Sequence, residues 1–293
     1  MGVPDAPVGG PAAWRASELT DPDRWEFAAG TRAADEFARL GSDLCGRGVE
    51  LSALSREDVD PGALAPLVKR SREAMVDGLG FVVWRGLPVE QMPTAEVEAA
   101  YWALGLHLGW PGAQNGAGDL LGHVRDYHDP VDSDLVREYR STVEIDFHCD
   151  AADAVGLFCL SAAVEGGEST IVSSVAVFDE LLGTEPRLAA RLCGMAELDT
   201  RSDGEGFDHV PVRPVCFDGS TVATFMHLGY FRSAARHGDV ELDADLVAAL
   251  DAWQEISAGA GMALSMQLAP GDQQLCSCLL YTSTSPRDQR EHL

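Results

Sequence analysis

Basic residues are scarce. The chain sets 21 Lys and Arg against 47 Asp and Glu, a formal net charge of -26 over 293 residues. Such a surface repels phosphate backbones and anionic headgroups, so nucleic acid and membrane surfaces make poor partners. Long hydrophobic runs are also missing, with no segment near the ~20 continuous apolar residues that cross a bilayer. The opening Met1-Gly2-Val3-Pro4-Asp5 lacks the basic and apolar regions of a signal peptide, which leaves a cytoplasmic location as the expectation. There is no Cys-x-x-Cys pair among the seven cysteines, and several lie in apolar runs such as Gly156-Leu157-Phe158-Cys159-Leu160. They read as reduced, mostly buried thiols and not as a disulfide framework. What is plentiful is apolar material, 46% of the residues, enough to bury a substantial core as one large domain or two small ones.

Residues 1–20 are rich in Pro, Gly and Ala and predict a loose lead-in, with order beginning near Asp21. Helical spacing of apolar residues predicts helices over Thr31 to Cys45, Ala63 to Gly78 and Thr94 to Leu108, the last two flanking an apolar strand, Phe81-Val82-Val83-Trp84. From Leu120 the texture changes to short β segments separated by Gly, Asp and Pro, the pattern of a sandwich or barrel. Strands are expected at Ser141 to His148, Val155 to Ala162, Ser169 to Val172, Val210 to Phe217 and Thr221 to Phe225. Asp218-Gly219 predicts a tight two-residue hairpin turn between the last two. Helical inserts follow at Val175 to Leu192, broken at Pro186, and at Asp243 to Ile256.

The segment with the clearest chemistry is His148-Cys149-Asp150. In an extended strand residues two apart face the same side, so the imidazole and the carboxylate can close on one metal ion. Two ligands hold a metal weakly. A mononuclear iron site that activates O2 takes two histidines and one carboxylate on one face, with the opposite positions open for cosubstrate and O2. The pattern therefore calls for a second histidine.

The order of motifs around this pair resembles the taurine dioxygenase-like family of Fe(II)- and 2-oxoglutarate-dependent oxygenases, clavaminate synthase-like members included. The resemblance is carried by Gly80-Phe81-Val82-Val83-Trp84-Arg85-Gly86-Leu87-Pro88, by Phe147-His148-Cys149-Asp150 and by Gly166-Gly167-Glu168-Ser169. Looser matches follow at Phe231-Arg232-Ser233-Ala234-Ala235-Arg236 and Leu268-Ala269-Pro270-Gly271-Asp272. It implies a mostly β chain with flanking helices, built as a double-stranded β-helix or jelly roll. It also implies His148 and Asp150 as the first two iron ligands, and Ser169, with Thr170 as understudy, as the hydroxyl that touches 2-oxoglutarate. The implied cofactors are Fe(II), 2-oxoglutarate and O2, the products succinate, CO2 and a hydroxylated small molecule such as an amino acid or small carboxylic acid. Asp153 is left between a turn role and the substrate pocket, and Arg137, Arg140 and Arg232 between surface positions and a substrate's acidic group.

The family pattern continues after the Pro-Gly-Asp turn with a strand bearing the second histidine, then an arginine for the 2-oxoglutarate carboxylate. Here that stretch reads Gln273-Gln274-Leu275-Cys276-Ser277-Cys278-Leu279-Leu280-Tyr281-Thr282-Ser283, without histidine. His209, His227 and His237 precede the turn, and His292 is next to last. Cys278 to Asp288 resembles the in-frame translation of a sequencing-library adapter. The resulting expectation is a lead-in over 1–20, an oxygenase domain over 21–275 that is incomplete at its C-terminal strands, and a non-native tail over 276–293, with little or no turnover as the chain stands. A natural tail that has lost its ligand, making a pseudo-enzyme, a non-catalytic jelly-roll binding protein, and a zinc hydrolase are the alternatives.

Overall fold

The strand Phe81–Arg85 buries four consecutive residues, which means that both of its faces are covered. That one fact organises the fold. The computed structural model describes residues 2–112, 114, 119–124, 146–150, 152–163, 166–201, 208–278 and 281–284, the last four by backbone only. Eleven strands are found among them: β1 Glu26–Ala28, β2 Phe81–Arg85, β3 Ala154–Phe158, β4 Ser169–Ser173, β5 Ala196–Asp199, β6 His209–Val212, β7 Val215–Phe217, β8 Val222–Thr224, β9 Leu264–Met266, β10 Gln273–Ser277 and β11 Tyr281–Thr284. Seven α-helices accompany them: α1 Gly30–Arg47, α2 Ala65–Val76, α3 Thr94–Leu108, α4 Ser174–Thr184, α5 Pro186–Leu192, α6 Leu228–Ser233 and α7 Ala244–Ser257.

One sheet runs β1-β2-β10-β3, with β1 parallel to β2 and the other pairs antiparallel; a second runs β11-β4-β9. Alternation along β2 sorts its side chains between two cores. Val82 and Trp84, with Leu275 of β10, face a core formed by α1, α2 and α3. Phe81 and Val83, with Cys276 of β10, face Trp14, Trp25, Ile171 of β4 and Met266 of β9. Helices, first sheet and second sheet are therefore stacked, with apolar side chains in both gaps. A third core joins Val172 to α4, α5 and α7 and to the hairpins β5-β6 and β7-β8. Complete burial of a large side chain contributes about 1.5–3 kcal/mol, and Phe81, Trp84, Phe178, Phe231 and Trp253 are all fully buried.

Several expectations need correction. Residues 1–20 are not a loose lead-in throughout: Trp14 and Leu19 are buried, the Trp14 Nε1 donates to Leu79 O at 3.0 Å, and its ring packs on Phe81. One anchored aromatic outweighs a Pro/Gly-rich composition. Among the described residues the mostly β balance is not observed, since the helices hold more residues than the strands, and no barrel closes. The expected strand Val210 to Phe217 is two, β6 and β7, parted at Arg213-Pro214 where proline can no longer donate to a ladder. Its hairpin to β8 exists, but over the four residues 218–221 and not two, with the Asp218 carboxylate accepting from the Ser220 and Thr221 amides. The helical insert expected from Val175 splits into α4 and α5 as Pro186 predicts. Of the seven cysteines, all free, only Cys149, Cys276 and Cys278 are buried. Most of the strand expected over Ser141 to His148 lies outside the described residues, as do Arg137, Arg140 and His292.

The turn into β10 is the tightest point. Gly271 has φ +88°, and a Cβ there would stand 2.0 Å from Leu87 O, whereas Gly219 has φ +105° with open space around it. Gly271→Ala is expected to cost about 2–4 kcal/mol, from the backbone clash added to left-handed strain, against about 1 kcal/mol for Gly219→Ala. Chemical denaturation of both variants checks this, and equal losses would show that the Gly271 turn yields.

Candidate metal centre

His148 follows the undescribed stretch and is held by backbone on two sides. It forms an antiparallel bridge with His227, and its Nδ1 lies 3.0 Å from Asp146 O. A ring nitrogen facing a carbonyl must carry the proton, which makes Nε2 the free lone pair, the tautomer that a metal ligand needs. Nε2 stands 3.8 Å from Asp150 Oδ1, so the two side chains converge although the residue between them, Cys149, turns into the core. The His148 side chain is 13% exposed and that of Asp150 is 51% exposed. One donor is fixed and the other is open to solvent. Asp150 is tied through its amide, which donates to Cys278 Sγ at 2.9 Å, while the Cys278 amide donates to Asp153 O at 3.0 Å. Asp153 itself is exposed and serves the backbone of this turn.

Thiols beside the pair do not complete it. Burial pushes Cys149 up to about 11 and Cys276 up to about 12, and pushes Cys278 well above its ordinary value, with the Asp150 charge adding in each case. Without a metal these thiols stay protonated at neutral pH. Among the described residues no His, Cys, Asp or Glu joins His148 and Asp150 in a group of three able to hold a metal ion.

Ser169 and Thr170 sit on opposite faces of β4. The buried Ser169 Oγ donates to Gln274 Oε1 at 2.7 Å between the two sheets, and Gln274 Nε2 reaches Met266 Sδ at 3.2 Å. The Thr170 hydroxyl pairs instead with Ser265 Oγ at 2.8 Å on the next strand. Arg232 is half-buried, ion-paired with Asp251 at 2.6 Å and bonded to Gln254 at 3.2 Å.

His227 is remote in the chain but not in space. Its ring lies 5.3 Å from that of His148 and stacks on Tyr230 at 3.7 Å with 22° between planes; the Arg201 guanidinium lies over Tyr230 at 4.3 Å. Burial, with the Arg201 charge acting in the same direction, lowers His227 to about 3, so its ring is neutral. The family order places His227 before the turn and so outside the expected ligand position, and no motif marks Tyr230 or Arg201. The one available signal was His227-Leu228-Gly229-Tyr230, an aromatic pair one helical turn apart. His209 and His237 lie in a separate cluster, their rings 5.3 Å apart, with Glu197, Asp239 and Asp199 as partners.

Residues 47–279 match the family described as "Taurine catabolism dioxygenase TauD, TfdA family". The chain belongs to that family. TauD/TfdA relatives include FR-33289 synthase of Streptomyces rubellomurinus, 28% identical over 277 residues covering 92% of this chain and 80% of the relative. Another is the taurine hydroxylase-like protein SAT17 of Stachybotrys chartarum, 27% identical over 146 residues, 47% of this chain and 38% of that one. In fold the chain is similar to asparagine oxygenase, solved with Fe(II), 2S,3S-3-hydroxyasparagine and succinate (TM-score 0.70, 17% identity, 92% of this chain and 90% of that one). It is likewise similar to the non-heme iron oxygenase OrfP, solved with Fe and alpha-ketoglutaric acid (TM-score 0.67, 14% identity, 91% and 89%). The TauD-like oxygenase fold is thus present, and the chain is an Fe(II)/2-oxoglutarate oxygenase by family. No helix among the described residues is long and apolar enough to cross a membrane.

Asp199 supports the wall beside this centre. Burial pushes its carboxyl up, but hydrogen bonds from Arg236, the Arg201 amide, Ser233 and His237 outweigh this and hold it well below the usual carboxylate range. A depressed carboxyl stabilises the fold above its unfolded pKa of about 3.9, and that stability is lost as pH falls through the folded value. Asp199→Asn is expected to cost about 2 kcal/mol at pH 7, about 4–8 °C in Tm. The gap from the parent narrows below about pH 4; a pH-independent gap would assign the loss to packing.

Proposed function

We propose that this chain carries the centre of a dioxygenase that hydroxylates a small molecule, an amino acid or a small carboxylic acid, and that the centre is built on His148 and Asp150. The observation that carries the proposal is the pair itself: Nδ1 is fixed on a backbone carbonyl while Nε2 converges on a carboxylate oxygen 3.8 Å away. A neutral imidazole beside a carboxylate suits a divalent transition metal. Iron(II) held there, with 2-oxoglutarate and O2, supplies the oxidation and releases succinate and CO2. The chain's own share is to aim the ring, to present the carboxylate and to keep water from the reacting carbon. Ser169 is the proposed 2-oxoglutarate contact in preference to Thr170, because its hydroxyl is buried between the sheets and that of Thr170 is directed at Ser265. The two facing sheets are read as the halves of a double-stranded β-helix. That asparagine oxygenase and OrfP were solved with hydroxylated amino acids favours an amino acid as the substrate class.

The donor set is incomplete. No histidine occurs between His237 and His292, and we read residues 276–293 as a non-native tail that leaves the centre two ligands and no cosubstrate arginine. The same observation favours a second reading, a pseudo-enzyme that binds without turning over. Anaerobic titration separates the two. With the chain as it stands, Fe(II) is expected to bind weakly and to lose its affinity in His148→Ala, with no succinate formed. With the gene's own continuation past codon 275 restored, Fe(II) and 2-oxoglutarate are expected to give a visible metal-to-ligand charge-transfer band and succinate. A restored protein that folds, binds iron and shows neither supports the pseudo-enzyme. Iron binding indifferent to both His148→Ala and Asp150→Ala removes the proposed centre altogether.

A further inference from the structure

His148 can aim Nε2 at a metal only if its ring is held, and the outer side-chain torsion of a histidine is broad and soft. Its Nδ1 contact with Asp146 O at 3.0 Å fixes one ring atom. A ring tied at one atom still pivots about it. The other half of the pair gives little support, since the Asp150 side chain is 51% exposed and its Oδ1 stands 3.8 Å from Nε2. A ligand has to be held within about 0.5 Å and 10–20° of its working geometry, so whatever stops the pivot must touch the ring itself.

The His227 ring does so. Its centroid lies 5.3 Å from that of His148 with 40° between planes, the spacing of a tilted ring pair in contact. His227 is itself held from several directions. Its backbone forms the antiparallel bridge with His148, and the preceding Met226 O accepts from the Cys149 amide at 2.6 Å, so the two segments are splinted together over adjacent residues. Met226 and Leu228, on either side of it, are fully buried. The His227 carbonyl accepts from the Tyr230 and Phe231 amides at 3.0 and 3.2 Å, which opens α6. The ring stacks on Tyr230 at 3.7 Å with 22° between planes. Bridge, helix start and stacking therefore all fix where the flat surface offered to His148 lies.

We infer that His227 is a positioning residue: by ring-to-ring contact, and not through a ring nitrogen, it holds the His148 imidazole in the orientation and tautomer that leave Nε2 directed at the Asp150 carboxylate. This role presupposes His148 and Asp150 as the metal centre and adds to it a residue outside the ligand pattern. Loss of a group that orients a ligating histidine typically weakens metal affinity about 10–100-fold.

The metal-free 293-residue chain is followed by imidazole-nitrogen NMR, with His148 assigned by the loss of its signals in His148→Ala. Fe(II) affinity is measured separately, by anaerobic quenching of tryptophan fluorescence. The parent is expected to show one His148 tautomer, with the proton on Nδ1. In His227→Ala the His148 ring is expected to average between tautomers and Fe(II) to bind about tenfold more weakly. His227→Phe keeps a flat ring and drops both nitrogens; it is expected to retain the single tautomer and an Fe(II) affinity within about twofold of the parent. His227→Leu has bulk but no flat face and is expected to behave as His227→Ala does. It also serves as the second variant should His227→Ala fail to fold, which circular dichroism reports. A His148 ring that averages in the parent, or that keeps one tautomer in His227→Ala or His227→Leu, overturns the inference. So does a loss in His227→Phe as large as in His227→Leu, which assigns the effect to a His227 nitrogen. Fe(II) binding that ignores His148→Ala instead brings down the assignment of the metal centre, and the tautomer result then stands or falls by itself.

Discussion

The ion pair between Arg85 and Asp272 joins the end of β2 to the turn before β10. Asp272 is almost fully buried; one of its oxygens accepts from Arg85 at 2.5 Å and from the Ala269 amide at 2.8 Å, and Arg85 reaches Glu26 with its other arm and Gln267 O at 3.1 Å. Burying the Asp272 carboxylate is costly, and the cost is offset by the half-exposed Arg85 guanidinium and the Ala269 amide. This pins the turn at residues 269–272 to the end of β2, and so fixes where β10 enters the sheet between β2 and β3. At the far end of β10, Cys278 receives the Asp150 amide and donates to Asp153 O. In this chain the strand set at Asp272 thus ends against the backbone of Asp150, the proposed carboxylate ligand.

These contacts bring together three sequence motifs that are far apart in the chain. Trp84-Arg85-Gly86-Leu87 supplies the arginine and the carbonyl of Leu87, Pro270-Gly271-Asp272 supplies the carboxylate and the one residue that fits under that carbonyl, and His148-Cys149-Asp150 receives the result. The short-range part of this was legible. Two-residue alternation brought the imidazole and carboxylate to one side, although His148 stands in an isolated bridge and not in a described strand. The apolar runs of β2, β3 and β4 were legible as well, because burial of both faces or of one face leaves a compositional trace.

What was not legible is physical in origin. β10 is central to its sheet yet contains Gln273 and Gln274, both buried, and a pair of amides in a core has no hydropathy signature. β1, β5 and β9 are too short to show a period. The Arg201–Tyr230–His227 wall depends on a backbone conformation imposed by Asp199 and on contacts between segments that no local pattern connects. In the lead-in the Pro/Gly-rich composition is overridden by one residue, since Trp14 donates to Leu79 O and packs on Phe81.

β11 shows that strand geometry and site chemistry are separable. Tyr281, Thr282, Ser283 and Thr284 pair antiparallel with β4 from Ser173 to Thr170, extending the second sheet beyond the Pro-Gly-Asp turn. Aromatic and β-branched residues are the ones that suit a pleated strand, and backbone pairing requires nothing more specific of a side chain. An iron centre requires a nitrogen or a carboxylate at a fixed place, and neither tyrosine nor a hydroxyl of this run provides the imidazole that the family pattern asks for. Family membership over residues 47–279 and likeness of fold therefore report on the scaffold, while competence for turnover depends on one donor atom that pairing alone does not select.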